Sequence, residues 1–346
     1  MLDDLIQSEL EKLRKGLVSN AIENEVIETK IDEFVNDIVT KLSSDFLQSL
    51  KRNANYSIRE NSLQNVEFLS RLEFRWYKAF DLMEMMVGCC LEIVQGLDDT
   101  NITTEKEKYI LLKRFHARSI RITKEIITLM RNGYADGAMA RWRSLFEICV
   151  LALFISENDN ELAIMYQDYL GIENYNESTE YQKRCESLNI EKIPDDEMER
   201  IISTRNSLEK KYSKRFTKQY GWACKVFNND DITFNKILNS INFEVWKPYY
   251  KMACNSVHSG PKSIFYNIGL SNLRDVLLVG PSNIGFTDPA QLSSISLLQI
   301  TSLIIRMNPT YENLIVINAL EKLNTEIPVV FDNIQKQIED EERGKT

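Results

Sequence analysis

Few places in the chain hold residues whose types and spacing could do chemistry. The stretch YKMACNSVHSGPKS, residues 250–263, contains His258, one of only two histidines among 346 residues. Asn255 precedes it by three positions and Cys254 by four, spacings that share one face of a helix. Imidazole titrates near neutral pH and serves as general acid or base. An asparagine beside it orients a hydroxyl or a phosphate. Joined by an arginine from another helix, such a pair could cleave RNA through the ribose 2′-hydroxyl. The histidine would shuttle the proton and the arginine would hold the scissile phosphate, with no metal. A second reading stays open beside it. A histidine in a last helical turn interacts well with the free carbonyls, and Gly260-Pro261 is a stop signal. A metal site on Cys254 and His258 lacks its remaining ligands, and no metal is expected.

The arginine has candidates. GYADGAMARWRSLFEICVLALFI, residues 133–155, carries a core stripe of Ala138, Trp142, Leu145, Phe146, Cys149 and Leu153. After Glu147 it is apolar on every side, so it predicts the central helix of a bundle. Arg141, Arg143 and Glu147 stand at its entrance. Charge on such a helix is costly unless paired or facing a cavity. Arg143 and Glu147 are four apart and can pair, whereas Arg141 lies about 200° round the helix from Arg143. A structural salt bridge and a guanidinium aimed at phosphate both fit, since the rigid fork of arginine suits phosphate.

Other cations gather nearby in sequence. LLKRFHARSIRITKEI, residues 111–126, sets Arg114, Arg118 and Arg121 on one face around His116. The alternatives are a solvated face paired with acids or an anion-binding groove. His116 itself reads as a surface or interface residue. Lys251 adds a cation beside His258. KRFTKQYGWACK, residues 214–225, interleaves Tyr220 and Trp222 with basic residues, a pattern that can stack bases. No nucleotide-binding glycine loop, GxSxG elbow or HExxH motif is present, and no cofactor is expected.

The elements that must position these residues are helices. Only 12 glycines and 7 prolines interrupt the chain. Hydrophobic residues at 43% and charged residues at 27% are ordinary globular values. The net charge of −9 argues against nonspecific coating of nucleic acid but leaves room for a local basic groove. No apolar run is long enough to span a membrane, and the first residues are not those of a secretory signal. Six scattered cysteines without a CxxC pair point to free thiols and a cytoplasmic setting.

Periodicity predicts a short helix over 1–16, an amphipathic helix over 22–53, a polar loop over 56–65 and a long helix over 68–96. Thr103 or Thr104, with Glu107, predicts a capping box for a helix running to about 132. Gly133 suits a left-handed turn and Asp136 the next N-cap. Further helices follow over 137–156, over 162–189 with a break near Gly171, after Pro194, and over 246–258. Val276 to Val279 reads as a short strand or a buried extended segment, in a turn-rich stretch reaching 289. Helices over 290–307 and 311–338 close the chain, the second breaking near Pro328, before a frayed charged tail. The fold class is an all-α multi-helix bundle with one short extended segment near 276–289. Three parts are expected: a helical arm over 1–55, a core over 56–310, and a C-terminal helix with tail over 311–346.

Taken together, RNGYADGAMARWRSLFEICVLALFI, YKMACNSVHSGPKS and LLVGPSNIGFTDPA resemble an uncharacterised, mostly bacterial domain family of unknown function. Its marks are an Arg-Trp-Arg-x-x-x-Glu helix, a later Asn/Ser-x-x-His helix end and a Gly-Pro turn. The resemblance spans residues 68–307. More distantly the chain is similar to HEPN-type all-helical ribonucleases, with Lys251 standing before His258 where their motif places arginine. That resemblance implies a part in a bacterial antiviral-defence or toxin-like system, as a metal-independent ribonuclease acting as a homodimer. His258, Asn255, Arg143, Arg141 and Glu147 would then be catalytic, and Arg114, Arg118, Arg121 and Lys251 would bind nucleic acid. The alternative is a non-catalytic helical scaffold or sensor that assembles with a protein partner.

Overall fold

The computed structural model describes residues 24–97, 104–228, 231–270 and 277–344, and among these it is all-α, with no strand. The helix expected over 1–16 lies outside the described residues. The chain divides into two units after Phe68.

Helix α1, Asn24–Gln95, runs through the segment that the sequence predicts as a loop over 56–65. The reason is local: from Asn24 to Gln95 there is no proline and the one glycine is Gly88, so those polar residues contain no stop. In the first unit α1 leaves Phe46, Leu50, Tyr56, Ile58, Leu63 and Val66 exposed.

In the second unit α1 contributes Leu72, Trp76, Phe80, Met83 and Val87 to the core. Helices α2 (Lys106–Arg131), α3 (Ala135–Ser156) and α10 (Thr287–Met307) pack on one another, and α11 (Tyr311–Arg343) packs on α10. Helix α3 is central, as its composition predicts: Trp142, Leu145, Phe146, Cys149 and Phe154 are all buried. Trp142 donates to Ser296 on α10 at 3.2 Å. Trp76, Phe80, Phe286 and Phe331 form an aromatic cluster, and Trp76 donates to the Asn283 carbonyl at 3.0 Å.

Between these lie α4 (Asn160–Asp168), α5 (Leu170–Leu188), α6 (Asp195–Tyr212), α7 (Phe234–Ser240), α8 (Lys247–Asn255) and the short α9 (Pro261–Phe265). The break expected near Gly171 falls at Tyr169, and Pro194 does precede α6.

Several local expectations change. Helix α2 begins at Lys106 with Glu105 at the N-cap position and no side-chain cap, so the capping box built on Thr104 and Glu107 does not form. Asp136 is not the N-cap of α3; Tyr134 holds that position, and the Asp136 carboxylate accepts from Ile268 N–H at 3.1 Å and Gly269 N–H at 3.4 Å. Gly133 takes the left-handed turn with φ +82°, and its carbonyl accepts from Ser282 N–H at 2.8 Å. Residues 277–279 form no strand, and Leu277 and Val279 are exposed rather than buried. Helix α11 runs through Pro328 without ending. The ring forfeits one backbone bond, but Ile327 and Phe331 beside it are buried and hold the helix to the core. The charged tail stays helical to Arg343.

Candidate functional site

Helix α8 ends at Asn255, three residues before His258, so the helix expected to reach 258 is shorter. The chain then turns, with His258 N–H bonded to the Cys254 carbonyl at 2.9 Å. This turn swings the imidazole off the helix axis and toward α3. Its Nε2 lies 3.2 Å from an Nη of Arg143. Guanidinium only donates, so Nε2 is the acceptor, and the bond needs the neutral ring with its proton on Nδ1.

Arg143 is braced from behind. Its Nε donates to Glu147 Oε1 at 3.1 Å, the i,i+4 pair that the spacing predicts. Tyr250 Oη donates to the same oxygen at 2.7 Å, and the guanidinium carbon lies 5.5 Å from the centre of the Tyr250 ring. That ring packs on Phe146 and Phe234 and is fixed by the core. Burial works against the charge on Arg143, but Tyr250 and Glu147 outweigh it and hold the guanidinium above its ordinary range. Burial, then the bond to Glu147, pushes the Tyr250 phenol to about 12, so it stays a donor. Burial raises the Cys254 thiol despite the nearby Arg143 charge, which keeps it from being a ready nucleophile. Tyr220, left-handed at φ 55°, stands close enough that burial and then the charge of Glu147 raise its phenol.

The Arg143 side chain is 23% exposed and that of Glu147 37%, so the cluster opens to solvent. His258 and Asn255 lie on the lining of an adjoining cavity of about 450 Å³. Asn255, the last residue of α8, thus shares the cavity with His258 rather than touching Arg143.

Arg141 is not part of this cluster. It points from the other side of α3 to Glu125 on α2, which Arg121 also contacts at 3.2 Å. Burial opposes the Glu125 charge, but Arg141 and Arg121 hold its carboxyl below the usual range. The 200° separation read from the sequence has this consequence.

Arg114, Arg118 and Arg121 are all exposed on α2, and no acid pairs with Arg114 or Arg118 among the described residues. Lys251 is exposed on α8. His116 is a core residue, not a surface one: it is 2% exposed, with Nε2 3.2 Å from Thr301 Oγ1. Trp222 is buried against Tyr166 and Phe154, so it is not free to stack a base.

Sequence reasoning missed Tyr250 as a member of the cluster, and it singled out Tyr220 only as an aromatic among basic residues. Tyr250 stands eight residues before His258, in the middle of α8, and only the packing of α8 on α3 brings its hydroxyl to Glu147.

Residues 109–275 match a family of unknown function, DUF5677. The match is narrower than the 68–307 expected from the motifs. The DUF5677 segment nevertheless holds Arg143, Glu147, Tyr250, Asn255 and His258, while the turn-rich stretch from 277 lies beyond it. No curated protein and no solved structure matches the chain. The six cysteines are free thiols. Among the described residues no three His, Cys, Asp or Glu side chains gather as a metal site, and no helix is long and apolar enough to cross a membrane.

Proposed function

We propose that the DUF5677 segment carries a metal-independent ribonuclease site centred on Arg143 and His258. The observation that supports it most is a buttressed guanidinium 3.2 Å from an exposed imidazole at the rim of an open cavity. Arg143 arrives oriented by Glu147 and Tyr250, which spares the reorganisation that would otherwise weaken transition-state binding. In the resting state Arg143 occupies the lone pair of Nε2. A phosphate that draws the Arg143 Nη away frees that lone pair. His258 Nε2 then takes the proton of a ribose 2′-hydroxyl, and the 2′-oxygen forms a bond to phosphorus. The bond from phosphorus to the 5′-oxygen breaks, and His258 returns the proton to that oxygen. The products are a 2′,3′-cyclic phosphate and a 5′-hydroxyl. Asn255, on the cavity wall, orients the substrate. The exposed Arg114, Arg118 and Arg121, with Lys251, supply cations for the rest of the strand.

The setting that the HEPN resemblance suggests is a bacterial antiviral-defence or toxin-like system. Free thiols support a cytoplasmic location. The apolar residues exposed along the first unit, among them Phe46, Leu50 and Leu63, support a homodimer.

The test is cleavage of labelled single-stranded RNA by the full chain in the presence of a chelator. Cyclic-phosphate ends are expected, with His258→Ala and Arg143→Ala each slowing the reaction about a hundredfold or more. A His258→Ala protein cutting at the wild-type rate would overturn the assignment. One observation favours the second reading, a non-catalytic sensor or scaffold binding a protein partner. Glu147 neutralises Arg143 at rest and accepts from Tyr250, so the cluster would serve only to join α3 to α8. That reading expects Arg143→Ala and Glu147→Ala to lower the melting temperature in a protein that never turns over RNA.

A further inference from the structure

The cavity beside His258 holds more unsatisfied polarity than a phosphate site needs. Asn255 lies on its wall at the end of α8, and Asn267, just after α9, lines it as well. Neither amide makes a hydrogen bond among the described residues, although each offers two donors and an acceptor. Lys262, on α9, is exposed and unpaired among the described residues. Tyr266 follows in extended backbone at φ −124°, with 70% of its surface exposed at the cavity edge. Met252 and Ile268 add apolar wall. Asp136 is the one acid on the lining, and it is already engaged by the N–H groups of Ile268 and Gly269. Those bonds fix the strand-like stretch that presents Asn267. The volume, about 450 Å³, falls within the roughly 300–1,000 Å³ range of small-molecule sites.

This combination has a specific chemical fit. A flat aromatic face and apolar wall suit a planar heterocycle. Free amides, each donor and acceptor at once, suit the edge of a base. A lysine at the rim suits the phosphate attached to it. We infer that this cavity is a nucleobase pocket, with Tyr266 stacking the base, Asn255 and Asn267 reading its edge, and Lys262 holding its phosphate. The inference rests on the ribonuclease reading for its place beside the scissile phosphate, where it would set which base adjoins the cut. Base binding itself does not depend on cleavage.

The experiment is calorimetric titration of the full chain with the four nucleoside monophosphates, with ribose 5-phosphate, and with short RNA oligomers differing in one base. Saturable binding is expected, with about tenfold preference for one base over the others. Asn255→Ala and Asn267→Ala should erase that preference, and Tyr266→Ala should weaken all nucleotides by about tenfold. Asn267→Asp, which keeps size but removes the donors, gives a second check if an alanine variant proves unstable. Tighter binding of the oligomer identifies a strand as ligand and tighter binding of the monophosphate a free nucleotide; both support the pocket. Ribose 5-phosphate binding as tightly as any nucleotide overturns it, as does a preference that survives both asparagine variants. Base-selective binding by a protein that leaves RNA intact would sustain the pocket and remove the nuclease. Indiscriminate cleavage lost in His258→Ala, without nucleotide binding, would do the reverse.

Discussion

The two histidines differ because their surroundings differ. His258 is exposed beside a guanidinium, whereas His116 is buried on the inner face of α2 against Thr301 of α10. Burial pulls the His116 imidazole down to about 4 from an ordinary value near 6.5. Between these values the unfolded chain binds the proton and the folded chain does not. Stability therefore falls as pH falls through that window, by about 1.4 kcal/mol per unit or about 3 kcal/mol in all. His116→Gln should remove this contribution, so wild-type and variant melting curves should diverge in pH dependence between about 6.5 and 4 and run parallel above. Parallel curves throughout would place His116 outside the acid sensitivity. In the sequence, flanking arginines give His116 the signature of a surface residue. It is buried because those arginines lie on the other face of an amphipathic helix, whose inner face includes Phe115, Ser119 and Ile120.

At the scale of elements, α2 presents Arg114, Arg118 and Arg121 as a ridge on a protein of net charge −9. The spacing of four and three made the ridge legible, because helical geometry fixes which residues share a face. If the ridge tracks an RNA backbone, Arg118→Glu should weaken binding similarly for all sequences. It should also reduce the slope of log affinity against log salt by about 0.7 to 1. An unchanged salt slope, measured by filter binding or fluorescence anisotropy, would remove the ridge from the interface. Arg118 suits the test because Arg121 is partly neutralised by Glu125. The segment 266–269, pinned by Asp136, was not legible. Its anchor has the local signature of an N-cap, an aspartate just after a glycine turn. The competing partners, two backbone N–H groups more than 130 residues away, exist only in the folded chain.

For the whole molecule, the first unit poses the question of what covers its apolar surface. Phe46 is 66% exposed and Leu50 50% among the described residues of that unit. Light scattering on the full chain should give twice the 40.3 kDa chain mass. Because both side chains are exposed, Phe46→Glu with Leu50→Glu should return the protein to one chain mass without lowering its melting temperature. A wild-type protein already at one chain mass would exclude the homodimer.

What the sequence determined by itself was set by short-range rules. Scarce glycine and proline made the chain helical, the run after Glu147 made α3 central, and i,i+4 spacing paired Arg143 with Glu147. The same geometry separated Arg141 from Arg143. Where the fold departs from these rules, a distant partner decides: burial holds α11 together through Pro328, and Asp136 and His116 meet their partners only in the folded chain. The tertiary structure alone decided that Tyr250 would brace Arg143, that the turn after Asn255 would carry His258 off its helix to a guanidinium 115 residues away, and that a cavity would open beside them. Those contacts depend on how α8 packs against α3. Helix packing angles follow from the fit of side chains on both partners, which no periodicity within either segment encodes.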